Sequence, residues 1–272
     1  MNPSSQPSKP GALRANRFVL WLSRRWLTIA TIFLGLYASL SIVTPVMMQL
    51  GLEGPARVLY TLYSPFCHQF AFRSLFLFGE QGAYPRAISG TSAVPYEAFV
   101  IDEPAFRAAY EYHYQRYHNG RLPDSLTLAD LTETFTPWFQ FASRDFLGSP
   151  VMGYKMTLCA RDIAIYLGIF GGALIYGIPV VRRRLRPVPI LLYAFLGLGP
   201  IAIDGMSQLL GYPPFNLWEP RETLPIFRVV TGGLFGFMNA WLAFPYLEMS
   251  MRETRTVVLA KLARAGIDVR TP

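Results

Sequence analysis

Cys67 and His68 stand side by side in SPFCHQF, and Cys159 and Asp162 stand three apart in LCARDIA. Thiolate, imidazole and carboxylate are the donor types that hold zinc, and an Asp in place of a Cys makes such a set harder. Residues three apart at a helix start share a face, so Cys159 and Asp162 are expected to point the same way. Cys67 would complete a candidate metal set with Cys159 and Asp162 from across a bundle. Adjacent helical residues point about 100° apart, so Cys67 and His68 would need irregular backbone to hold one ion together. The chain has 2 cysteines. A Cys67–Cys159 disulfide or two free thiols therefore stand beside a metal such as zinc as open alternatives. A CxxC redox motif and a cysteine-rich secreted scaffold are excluded.

A second set gathers in IDGMSQL and RETLPIFRVVTGG. Asp204 and Gln208 are four apart and share a helix face. Arg228, on the next apolar run, is expected to meet Asp204 at similar depth. A carboxylate inside a membrane is a site hypothesis by default, because a charge there must be paired. Two readings follow. Asp204 and Arg228 form a structural pair, or Arg73, Arg161, Arg221 and Arg228 grip an anionic headgroup or phosphate while His68 and Asp204 move protons. Gln69, Gln208 and Thr231 would support that site.

The elements that must position these residues are apolar. The composition is 52% hydrophobic and only 15% charged, whereas a soluble domain carries about 25% charged residues. Net charge is +8, but the arginines cluster at the ends of apolar runs, where they orient membrane helices instead of contacting nucleic acid. Charge-poor runs extend from Trp26 to Leu50, Ile163 to Val181, Val188 to Leu210 and Leu224 to Leu247. Each is long enough to cross a hydrocarbon core of about 30 Å at 1.5 Å per residue. The first is longer than a signal-peptide core and no A-x-A-like site follows it, so an anchored helix is expected.

The stretch Val58 to Phe78 carries Pro65, Cys67, His68, Gln69 and Arg73 and is costly to place in lipid. If it crossed, the basic loop Arg182, Arg183, Arg184 and Arg186 would lie on the side opposite the N-terminal arginines, against the positive-inside tendency. The preferred reading is all-α, a polytopic helical membrane protein. It has four crossing helices, one interfacial or re-entrant helix, and a small external helical cap. Both termini are then cytoplasmic, and Cys67, His68, Cys159, Asp162, Asp204 and Arg228 converge near the outer face.

Residues 1–25 read as a disordered basic segment and 26–79 as the first crossing and the interfacial helix. An extramembrane cap fills 80–157, a three-helix transmembrane core 158–248, and a basic cytoplasmic segment 249–272. Within the cap, helices are expected at Glu103 to His118, ended by Asn119-Gly120, and at Thr127 to Phe135. Glycines 168, 171, 172, 232, 233 and 236 fit close helix packing. No Lys-Ser or Lys-Thr follows GIFGG, which excludes a phosphate loop.

The elements CHQ…RS at 67–74, CARD at 159–162, DGMSQ at 204–208 and RVVTGG at 228–233 resemble the uncharacterised membrane-protein family known as domain of unknown function 2085. Where that pattern has a second cysteine after Cys-x-Arg, this chain has Asp162, and the stretch between the cysteine elements is longer. The resemblance implies a helical membrane fold and no reaction. The functional expectation is a polar site at the outer interface that acts on or binds a lipid or amphipathic anion. The alternative is a non-catalytic accessory subunit that docks another membrane protein through the cap. A transporter ranks below both, since one acidic residue and few broken helices make a poor path.

Overall fold

The computed structural model describes residues 10–118, 120, 126–132 and 135–267. Helix α1 (Pro10–Gln49) is followed by a short helix α2 (Glu53–Tyr63), and strand β1 (Ser74–Leu77) comes next. The cap contributes α3 (Tyr96–Val100), α4 (Pro104–His118), α5 (Leu128–Thr132) and α6 (Pro137–Asp145). Strands β2 (Gly148–Ser149) and β3 (Gly153–Cys159) lead into α7 (Ala160–Gly177) and α8 (Pro179–Arg184). Helices α9 (Ile190–Leu209) and α10 (Pro225–Arg264) follow.

Helices α1, α7, α9 and α10 are long and apolar enough to cross a membrane. The chain is a multi-pass helical membrane protein, and among the described residues the helices able to cross number the four expected from the sequence. Exposed Phe33, Leu36, Phe195, Ile203 and Val230 face outward from these helices, as lipid-facing residues do. Proline explains their irregularities. Pro179 starts α8 after α7 has ended, and Pro187 and Pro189 separate it from α9. Within α9 the backbone widens to a π turn at Tyr193–Leu198 just before Pro200, which has no N–H to donate into the preceding turn.

Three sequence expectations change. Residues 10–25 are helical, the start of α1 instead of a disordered segment; residues 1–9 lie outside the described residues. At 40 residues, α1 and α10 each run about 60 Å, twice a hydrocarbon core. Their surplus turns pack together, with Leu20 buried against Val258 and Leu262. The basic C-terminal segment is therefore helical as far as Arg264.

Residues 58–78 do not form one helix either. The first six belong to α2, and the chain then turns into strand β1. The strand order is β1-β3-β2, antiparallel, with Ser74 paired to Cys159 and Leu77 to Tyr154. Burial drives this choice, because SLFL alternates buried and half-buried positions along β1 and β3 is buried at nearly every residue. Gly153 lets β3 approach β1, with a positive φ of 69° and a Cβ position that would lie 2.1 Å from the Leu77 carbonyl oxygen.

The cap helices follow the expected pattern at Pro104–His118 and at Leu128–Thr132; Asn119 and residues 133–134 lie outside the described residues. The cap is not purely helical, since the small sheet underlies it. Its core is aromatic: Phe72, Tyr96, Phe106, Phe139 and Phe146 are buried together. In that core Arg86 donates to Glu97 at 2.8 Å and to the Leu131 and Thr132 carbonyls, lying over the Phe139 ring. A buried charge with that many partners holds three cap segments in one arrangement.

Candidate functional site

The sheet brings the two cysteines together. β1 follows the Cys67–His68–Gln69 turn and pairs with β3, whose last residue, Cys159, is the N-cap of α7. Both thiols are buried, with Sγ atoms 2.9 Å apart. Asp162, in the first turn of α7, adds a carboxylate oxygen, and the three ligand atoms all lie within 4.8 Å of one another. The backbone N–H groups of Cys159 and Gln69 point at Cys67 Sγ, at 3.2 and 3.4 Å. The hydrogen bond from Cys67 holds the Cys159 thiol below its ordinary range, and the same bond, with burial, pushes Cys67 up. A cation seated between the sulfurs would find two N–H donors already aimed at Cys67 Sγ.

Gln69 builds this turn. Its φ of +57° is rare for a non-glycine residue. Its side-chain amide donates to the Tyr60 carbonyl at 2.9 Å and the Thr157 carbonyl at 3.0 Å, tying α2 to β3. The Gln69 carbonyl accepts from Lys155 Nζ at 2.8 Å, and the Ser143 and Arg144 carbonyls accept from the same nitrogen. Lys155 is fully buried, and burial pulls it down to about 7. The folded state therefore binds that proton less tightly than the unfolded chain, whose lysine sits at 10.5. Stability from this group rises with pH between about 7 and 10.5. The thermal midpoint of the wild type, relative to Lys155→Met, is expected to climb across that window; parallel profiles would refute it.

A second cluster lies where α9 and the start of α10 meet α7. Arg161 pairs with Asp204, which also accepts from Thr223 and from Gln208 Nε2 at 3.5 Å. Gln208 Oε1 accepts from Arg228 at 2.8 Å. Glu222 takes Arg228 on one side and Arg73 on the other, with Tyr212 Oη at 3.2 Å. The expected Asp204–Arg228 pair is thus corrected: Asp204 pairs with Arg161, and Arg228 with Glu222. Geometry decides this, because Glu222 in the loop before α10 reaches Arg228 from six residues away. Two flanking guanidiniums hold the Glu222 carboxyl below its usual range despite the opposing effect of burial.

The remaining predicted residues fall outside these clusters. His68 is exposed, with its ring 5.4 Å from the Phe70 ring. Arg221 is exposed. Thr231 bonds back to the Phe227 carbonyl within its own helix. Sequence reasoning missed Glu222 and Tyr212. The signal for Glu222 was available: a carboxylate next to an apolar run that contains a buried arginine.

Both clusters are carried by the start of α7, and most of their residues lie in one stretch of chain. Residues 144–242 match the family described as predicted membrane protein (DUF2085). The DUF2085 match runs from the end of α6 through β3, α7 and α9 into α10. It includes Cys159, Arg161, Asp162, Asp204, Gln208, Glu222 and Arg228, and leaves out Cys67 and Arg73. An uncharacterized protein of Methanocaldococcus jannaschii is 32% identical over 112 residues, which is 40% of this chain and 64% of that protein. The chain thus spans somewhat less than two thirds of its relative's length. No solved structure matches.

Proposed function

We propose that this membrane protein carries a thiolate–carboxylate metal centre of the zinc class at Cys67, Cys159 and Asp162. In this reading the centre lies at the outer membrane interface and serves a site for a lipid or other amphipathic anion. The convergence of three ligand atoms within 4.8 Å supports it. Two sulfurs at about 2.3 Å from a tetrahedral ion stand about 3.8 Å apart, so an ion would widen the present pair by about 1 Å. Three protein ligands would leave a fourth position open, as catalytic zinc sites do. The arginines at the ends of the crossings orient the termini and the basic loop to the cytoplasm, which puts the centre outside.

The test is elemental analysis of the detergent-purified protein, with thiol titration before and after reduction. About one metal ion per chain, lost in Cys159→Ser and in Asp162→Ala, is the expected result. No metal, with two thiols appearing only after reduction, would replace the centre with a Cys67–Cys159 disulfide. That result would favour the second reading, a non-catalytic accessory subunit. The closure of Asp204, Glu222 and three arginines on one another supports this alternative.

A further inference from the structure

The cations of the Asp204–Glu222 cluster are largely committed to carboxylates, so an anion would need guanidiniums elsewhere. A cleft of about 410 Å³ between α2 and α6 has them, lined by Arg57, Tyr60, Thr61, Ser64, Gln69 and Arg144 among others. Arg57, Thr61 and Ser64 recur at helical spacing, so one face of α2 and the turn after it turns hydroxyls and a guanidinium toward the cleft. The opposite face is apolar. Val58 is 58% exposed, Leu62 60%, and Phe66, just past the helix, 67%.

A short helix with one apolar and one cationic, hydroxyl-bearing face lies in the plane of the membrane interface. Here it directly follows the end of the first crossing helix, α1, which sets the cleft at headgroup depth. Among the described residues the Arg144 guanidinium has no hydrogen-bonding or ionic partner. Arg57 is held only by Glu53 at 3.3 Å, both side chains about 60% exposed, a weak pair that a better acceptor displaces. Asp145 also lines the cleft, but its Oδ2 is engaged by His113 Nε2 at 2.7 Å. The cleft floor is Gln69, whose backbone N–H points at Cys67 Sγ.

We infer that the cleft between α2 and α6 binds the phosphate of an anionic phospho-headgroup, with Arg144 and Arg57 as its cationic contacts and Ser64 as a hydroxyl donor. This inference deepens the amphipathic-anion reading and does not depend on the metal. Arginine suits the task because its planar fork meets two phosphate oxygens at once. The acyl chains would run down the apolar face of α2, and the headgroup would sit against the wall behind which the two thiols lie.

The experiment is calorimetric titration of the full chain in neutral detergent with three probes: dihexanoyl phosphatidylglycerol, dihexanoyl phosphatidylcholine and inorganic phosphate. Phosphatidylglycerol is expected to bind at one per chain and phosphatidylcholine more weakly. Arg144→Gln should weaken phosphatidylglycerol at least tenfold, and Arg57→Gln severalfold, at unchanged thermal midpoint and metal content. Arg183→Gln, exposed on α8 and outside the cleft lining, should leave the affinity as it is. Inorganic phosphate matching the lipid would support the same contacts with a free phosphate as the ligand. No binding by either anion, or affinity unchanged in both Arg57→Gln and Arg144→Gln, would overturn the inference. Arg57 is exposed, so its variant still decides the matter should Arg144→Gln fold poorly. Metal content is read on the same samples, so a protein that holds metal but no anion fails this inference alone.

Discussion

Glu222→Gln is expected to remove most of the folded protein from a detergent extract. The substitution keeps the shape and deletes the one charge that Arg73 and Arg228 share. Glu222 and Arg228 are each about 5% exposed, whereas the Arg73 side chain is 20% exposed, so Arg228 above all cannot turn to water without moving its helix. Breaking a buried pair by removing one partner costs about 3–5 kcal/mol, a large fraction of the stability of a typical domain. Here two cations are stranded by one change. Arg73 would also lose the anchor that holds it over Phe70, Phe72 and Phe135, where the cap meets the membrane core. The check is monodisperse yield and thermal midpoint beside Glu219→Gln, an exposed control. A Glu222→Gln protein with wild-type yield and midpoint would show that the cluster is not structural. The closed network would then have to be reconsidered as a site that opens.

Gly236→Val is expected to be at least as damaging, for a steric reason. A Cβ at Gly236 would lie 2.1 Å from the Ile165 carbonyl oxygen of α7, and backbone cannot rotate away as a side chain can. Helices α7 and α10 would have to separate along the crossing where Gly168 and Gly232 also meet the opposite backbone. Membrane helices associate through such close packing, with little hydrophobic force to compensate its loss. Because the first turn of α7 follows directly on Cys159, displacing the helix also moves Arg161 and Asp162. The expected outcome is loss of monodisperse protein for Gly236→Val and near-normal yield for Gly171→Val, where a Cβ meets nothing within 4 Å. Equal yields would mean that the α7–α10 contact is not the one that holds the bundle.

Much of the membrane architecture was legible without coordinates. Apolar runs too long for strands and poor in charge announce crossing helices, because every backbone polar group in lipid must be satisfied within its own segment. Arginine placement then distinguished four crossings from five. The nearness of Cys159 to Asp162 was legible too, since spacing of three at a helix start is a local rule.

Tertiary structure decided the rest. Residues 58–78 read as one apolar segment, yet β1 finds its partner in β3, almost eighty residues later, and strand pairing over that distance leaves no periodic mark in either segment. That pairing brings Cys67 to Cys159, while the adjacent His68 is left exposed and Gln69 takes a left-handed conformation. The charge partners were decided in the same way. The sequence shows that Asp204 and Arg228 each need a counter-ion, because burial makes a lone charge costly. Which carboxylate meets which guanidinium depends on how the loop before α10 folds back over α9, and only the assembled bundle sets that.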